Sequence, residues 1–190
     1  MKIGLFFGSF NPIHVGHLII ANHIVQHTDL KKVWMVVSPQ NPLKPKNTLA
    51  KEQDRLHLVR LAIGDNPNLE ASDIEFKLPQ PSYTIDTLTY LKEKYPTKSF
   101  VLIMGGDNLA TLQKWKNYEM ILEHYEIYVY KRPDYDLEQW ATHPKVNIID
   151  APLLEISATH IRNTIKAKKS IQYLVTEPVL KYIEGSNMYK

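Results

Sequence analysis

Two histidines three residues apart, His14 and His17, stand in the stretch Gly8-Ser9-Phe10-Asn11-Pro12-Ile13-His14-Val15-Gly16-His17. At that spacing both imidazoles share one face of a first helical turn. The free N–H groups of a helix start already attract an anion, and two imidazoles add directed donors. Gly8 lets the chain turn sharply and lets backbone approach a ligand, and Gly16 allows close approach at the helix start. Together these features suit a polyphosphate. A metal-binding pair is the competing reading, but the chain has no cysteine and no His-Glu-x-x-His pattern. A plain turn with two incidental histidines is the bland one. No Gly-x-Gly-x-x-Gly occurs here, which disfavours a dehydrogenase.

Four further segments carry groups that could complete a site. Ile156-Ser157-Ala158-Thr159-His160-Ile161-Arg162 pairs a natural helix cap, Ser157, with an arginine one to two turns later. Asn41-Pro42-Leu43-Lys44 puts a lysine in a proline-rich loop. Pro81-Ser82-Tyr83-Thr84-Ile85-Asp86-Thr87-Leu88 reads as a helix start capped by Ser82, where backbone amides favour an anion. Met104-Gly105-Gly106-Asp107 follows an apolar run; Gly105 permits close ligand approach, and Asp107 can accept hydrogen bonds or cap a helix. By composition alone Trp115 is more readily core than a ligand platform, and Trp34 and Trp140 read as packing residues.

Positioning these groups requires alternating strands and helices. Ile3 to Phe7, Val33 to Val37 and Phe100 to Met104 are short continuous apolar runs, as expected of strands buried on both faces. Ile127 to Tyr130 and Val146 to Ile149 read as strands, and residues 69–76 as extended. Helices are expected over about 15–28, with Val15, Leu18, Ile19, Ile24 and Val25 buried, and over about 50–63, with Leu56, Val59 and Ile63 on one face. Others run from Ser82 to about Lys94, through Trp115 to Glu123, and from near Ala158 and Thr176. Strands separated by helices imply parallel pairing through right-handed crossovers. The expected fold is a doubly wound open parallel α/β sheet in a single domain spanning residues 1–190, whose helices from about 158 complete the site. Such sheets bind ligands beyond the carboxyl ends of their strands, and the glycine-rich and histidine motifs follow strands as that rule demands.

Composition sets the outer bounds. Lysine and arginine number 23 against 20 acids, a net charge of +3. That is mild, and the densest basic run, Lys166, Lys168 and Lys169, suits a solvated helix end better than a nucleic-acid surface. The N-terminal apolar run is too short for a signal peptide, and no segment approaches the roughly 20 apolar residues of a membrane span. A soluble cytoplasmic protein is the expectation, with no nucleic-acid or membrane partner. Oligomeric state is not legible.

The first motif resembles the signature of the nucleotidyltransferase α/β superfamily, Gly-x-Phe-Asp-Pro-x-His-x-Gly-His, with Asn11 in place of Asp and Phe7 where a second glycine is common. The second resembles that superfamily's Ile-Ser-Ser-Thr-x-Ile-Arg, with Ala158 in place of Ser. Within it, the remaining segments are similar to those of the nicotinate mononucleotide adenylyltransferases, although Leu43 stands where a histidine is usual. The resemblance implies a Rossmann-like fold and adenylyl transfer from ATP, with Mg²⁺, to nicotinate mononucleotide. It implies catalytic roles for His14, His17 and Arg162, and ATP contacts from Gly8, Ser9, Phe10, Gly105, Asp107, Ser157 and Thr159. Lys44 would meet the acceptor phosphate; Ser82, Tyr83 and Thr84 would present amides to the nicotinate carboxylate; Trp115 would stack on the pyridine ring. No protein metal ligands are implied. Nicotinamide mononucleotide as acceptor, and a non-catalytic nucleotide-binding sensor domain, are the alternatives.

Overall fold

The computed structural model describes residues 1–40 and 49–190. Among these, six strands form one all-parallel sheet: β1 (Lys2–Gly8), β2 (Lys32–Val37), β3 (Leu69–Ser72), β4 (Ser99–Gly105), β5 (Glu126–Tyr130) and β6 (Val146–Ile149). Their order is β3-β2-β1-β4-β5-β6, so the chain winds outward from β1 in one direction and from β4 in the other. β1 and β4 are neighbours, with Phe6 beside Ile103, and the switch point lies between them.

Alternation along each strand feeds two cores. Met35, Val37, Val101, Ile103 and Tyr128 face one cluster, with α1 (Val15–His27), α2 (Glu52–Ile63), α6 (Ala158–Lys166) and α7 (Glu177–Glu184). Trp34, Val36, Leu102, Met104, Ile127 and Val129 face the other, with α3 (Thr84–Lys94) and α5 (Tyr118–His124). A strand covered on both faces has no polar side, which is why these segments read as continuous apolar runs. Trp34 and Trp140 are both buried, as packing residues should be. Pro178 sits in the first turn of α7, where its missing N–H leaves no helical bond unmade.

Three expectations are corrected. On α1 the inward face runs through Gly16, Ile20, Ala21, Ile24 and Val25, so Ile20 rather than Ile19 points into the core. The extended stretch ends at Ser72; Ile74–Lys77 is a 3-10 turn that tucks Ile74 and Glu75 inward. Ser82 does not cap α3, because the helix begins at Thr84 and Tyr83 holds the cap position, leaving Ser82 one residue too early and buried. Lys44 lies outside the described residues.

Candidate active site

A cleft of about 480 Å³ opens at the carboxyl ends of β1 and β4. Its lining includes Gly8, Ser9, Phe10, His14, His17, Asp107, Trp115, Ser157, Thr159 and Arg162, brought together from opposite ends of the sequence. Its size falls within the roughly 300–1,000 Å³ usual for small-molecule sites.

The β1–α1 loop is shaped from inside. Phe10 adopts a left-handed φ of 44° and is only 2% exposed. Its ring packs edge-on against Phe6 and against His17, with centroids 6.1 and 5.1 Å away. Phe10 thus enters the cleft wall as a support packed from inside. A Cβ on Gly8 would come within 2.7 Å of the Phe10 ring, so only glycine fits there.

His14 is the N-cap of α1 and His17 its third helical residue. The His14 N–H donates to His17 Nδ1 at 3.3 Å, and the two rings stack with centroids 3.7 Å apart. Because His17 Nδ1 is an acceptor, the proton of its neutral ring lies on Nε2. Burial, with the nearby positive charge of Arg132, pushes the His14 pKa down to about 4. His14 is therefore neutral at pH 7 rather than a cation, and its buried Nδ1 has no hydrogen-bond partner among the described residues. Its unfolded value is higher, so folding becomes less favourable as pH falls from about 6.5 to 4, by about 3 kcal/mol in all. The stability advantage of wild type over His14→Asn, read from urea titrations, should shrink across that window and stay constant above it.

On the opposite wall, Ser157 caps α6, its Oγ accepting the His160 N–H at 3.1 Å. Arg162 is held before any ligand arrives: Nη1 donates to Asn11 O at 2.8 Å and Nη2 to Thr159 Oγ1 at 3.2 Å. Asn11 Oδ1 in turn accepts the Ala50 N–H at 3.1 Å, the acceptor role its usual Asp would also fill. Neither α1 nor α6 carries an acid in its first turn, whereas α2, α3, α5 and α7 all do. The starts of α1 and α6, unlike that of the short helix bearing Asp107, thus bring uncompensated positive ends to the cleft, for an anion to meet.

Beyond β4 the chain turns through the short helix α4 (Gly106–Leu109). A Cβ on Gly105 would run into the Asp107 carboxylate and the Tyr130 ring, so Gly105 shapes the floor without lining it. Asp107 Oδ1 is buried, accepts no hydrogen bond among the described residues, and lies 3.8 Å from Arg132 Nε. The Arg132 guanidinium covers the Tyr130 ring at 5.2 Å. Arg132 lines the cleft and escaped the sequence reading, although Lys131-Arg132-Pro133 follows a strand and the strand-end rule points to it.

Of the acceptor candidates, Trp115 lines the cleft, while Ser82, Tyr83 and Thr84 do not. They lie close by: Lys116 Nζ reaches both Asp86 carboxylate oxygens at 2.9 and 3.1 Å and sits 4.8 Å over the Tyr83 ring. That pair neutralises the acid in the first turn of α3, whose initial amides have no intrahelical partner. Beneath the turn, Thr87 Oγ1 donates to the buried Glu75 Oε1 at 2.8 Å. Burial pushes the Glu75 carboxyl up, and the hydroxyls of Ser38, Thr87 and Ser82 pull it part of the way back. Among the described residues no group of three or more His, Cys, Asp or Glu could hold a metal ion. No helix among them is long and apolar enough to cross a membrane.

A Rossmann-order sheet with paired histidines after β1 and an arginine-bearing helix across the switch point defines a nucleotidyltransferase, and the cytidylyltransferase-like family model matches residues 5–164. A Flavobacterium psychrophilum protein named "Probable nicotinate-nucleotide adenylyltransferase" is 59% identical, with each chain covered in full. Proteins of the same name from Cytophaga hutchinsonii and Bacteroides fragilis are 58% and 43% identical, covering 100% and 96% of this chain and 98% and 90% of theirs. The chain belongs to the nicotinate-nucleotide adenylyltransferase family. The same fold occurs in a Plasmodium falciparum nicotinic acid mononucleotide adenylyltransferase complexed with NaAD, with a TM-score of 0.84 at 20% identity over 99% of this chain and 97% of that one.

Proposed function

We propose that this chain transfers AMP from ATP to nicotinate mononucleotide, releasing pyrophosphate and nicotinate adenine dinucleotide in NAD biosynthesis. The observation that carries the reading is the convergence of both phosphate-type motifs and Trp115 on one cleft. An acceptor phosphate oxygen attacks the α-phosphorus in line. It is already anionic, so the reaction needs no general base and no covalent enzyme intermediate. Catalysis then rests on positioning and on donors aimed at developing charge.

His17, with its proton on Nε2, and His14 stabilise charge at the α-phosphate and the leaving group. Ser157, Thr159 and Arg162 hold the departing β- and γ-phosphates, for which the arginine fork is suited. Gly8, Ser9 and the Phe10 backbone line the phosphate path, and Gly105 and Asp107 accommodate the nucleoside. ATP enters as its complex with a divalent ion. We assign this ion as Mg²⁺; with no protein ligand set among the described residues it would be carried by the nucleotide, and it would supply charge neutralisation at the phosphates. Lys44 meets the acceptor phosphate. The amides at Tyr83 and Thr84, flanked by Ser82, receive the nicotinate carboxylate. The 1–190 chain acts as one unit, working in the cytoplasm.

A ring stacked on Trp115 is worth about 1–3 kcal/mol by analogy with base–aromatic stacking. Trp115→Ala should therefore raise the KM for nicotinate mononucleotide about 10-fold or more, while ATP affinity measured calorimetrically stays near wild type. An equal loss of ATP affinity would remove Trp115 from the acceptor side. The reading itself is tested by pyrophosphate release. It should require ATP, a divalent ion and the mononucleotide together. Tight ATP binding with no pyrophosphate under any combination would favour the sensor alternative.

A further inference from the structure

Arg55 lies on the inward face of α2 and is 1% exposed, yet among the described residues no carboxylate forms an ion pair with it. Four of its five N–H donors go to main-chain carbonyls. Nε donates to Ala50 O at 2.9 Å, Nη1 to Ser9 O at 2.5 Å and Ser38 O at 2.8 Å, and Nη2 to Pro39 O at 3.0 Å. A buried guanidinium with no carboxylate in contact is an expensive way to join loops, because desolvating the charge is repaid chiefly by carbonyl dipoles, helped by the more distant charge of Glu52. Its geometry does what a neutral side chain could not. One planar fork reaches the chain leaving β1, the chain leaving β2 and the entry of α2 at once.

Those exits lead to the two halves of the reaction. Ser9 belongs to the loop that carries His14 and His17. Ser38 faces Glu75 through its hydroxyl, and Glu75 accepts from Thr87 in the first turn of α3, beneath the proposed acceptor amides. Ser38 N–H also donates to Gly8 O at 2.9 Å, so the two exits are already adjacent and a single nitrogen of Arg55 spans them. Asn11, bonded through Oδ1 to Ala50 N–H, is a second tie between the donor loop and the entry of α2.

We infer that Arg55 is a positioning residue that holds the ATP-phosphate loop in register with the acceptor side, setting the alignment of the attacking oxygen with the α-phosphorus. The inference rests on the adenylyl-transfer reading. A misplacement of about 1 Å at a reacting centre can cost about 100-fold in rate without abolishing either binding event. Arg55→Lys keeps the charge but reaches fewer carbonyls.

The test compares kcat with separately measured affinities for nicotinate mononucleotide and for a non-hydrolysable ATP analogue, with wild type alongside and rates normalised to the folded fraction by circular dichroism. Arg55→Lys should lower kcat about 100-fold while each affinity moves less than about 3-fold. A normalised kcat near wild type, or a loss matched by one substrate's affinity, overturns the inference. Should Arg55→Lys not fold, Asn11→Ala decides. Loss of that tie should lower kcat about 10-fold at unchanged affinities, and an unchanged kcat overturns the inference. Wild type that makes no dinucleotide would count against the adenylyl-transfer reading instead.

Discussion

His17→Ala is expected to lower kcat about 100-fold or more, on the scale of deleting one preorganised donor to a developing oxyanion. The ring is fixed from three directions. His14 N–H holds Nδ1, the His14 ring stacks on one face, and Phe10 meets it edge-on. Such a donor needs no reorganisation when charge shifts toward pyrophosphate. His17 is only half-buried, so the fold should survive its truncation. Calorimetric ATP affinity should change little, since a donor that acts mainly in the transition state contributes little to ground-state binding. A folded His17→Ala protein that binds ATP and turns over at the wild-type rate contradicts the assignment.

Arg162→Ala should reduce kcat/KM for ATP by about 100-fold, the size of a lost charge-assisted phosphate contact at about 1.5–3 kcal/mol. Part of the loss is structural, because Asn11 O gives up its donor and the donor loop loses a tie to α6. Arg162→Lys should recover little: one ammonium cannot bond Asn11 O, Thr159 and two phosphates in a plane. Steady-state kinetics with ATP varied, together with pyrophosphate binding by calorimetry, separate the effects. Wild-type kinetics in the lysine variant would mean that charge alone, without the fork, serves the site.

How much of this was written in the residues differs by element. The strands were legible because a parallel strand covered on both faces has no polar register to confuse it. The apolar run Val146–Ile149 coincides with β6, and the runs of β1, β2, β4 and β5 match their strands within one residue at each end. The Ser157 cap was legible because a side-chain acceptor at a helix start is a local device. Sheet order was not, since it is set by which crossover packs on which face. Ile19 and Ile20 are adjacent and equally apolar, so only tertiary packing decides which faces inward. Ser82 misled because a serine before a helix usually caps it, and here α3 starts one residue too late for that, leaving Ser82 buried with its hydroxyl unpaired among the described residues.

Arg55 and Arg132 were missed for a shared reason. Each is one charged residue in a stretch with no repeating pattern, and each takes its meaning from partners distant in sequence. The depressed pKa of His14 also lies beyond local reading, because burial and Arg132 create it.

The most direct measurement is mass-spectrometric product analysis after incubating the protein with ATP, Mg²⁺ and either nicotinate or nicotinamide mononucleotide in parallel. Nicotinate adenine dinucleotide with stoichiometric pyrophosphate, and far less product from the nicotinamide substrate, is the expected result. Equal yields from both acceptors would contradict recognition of the carboxylate by the α3 amides, and no dinucleotide from either, with folded protein, would contradict adenylyl transfer to a pyridine mononucleotide.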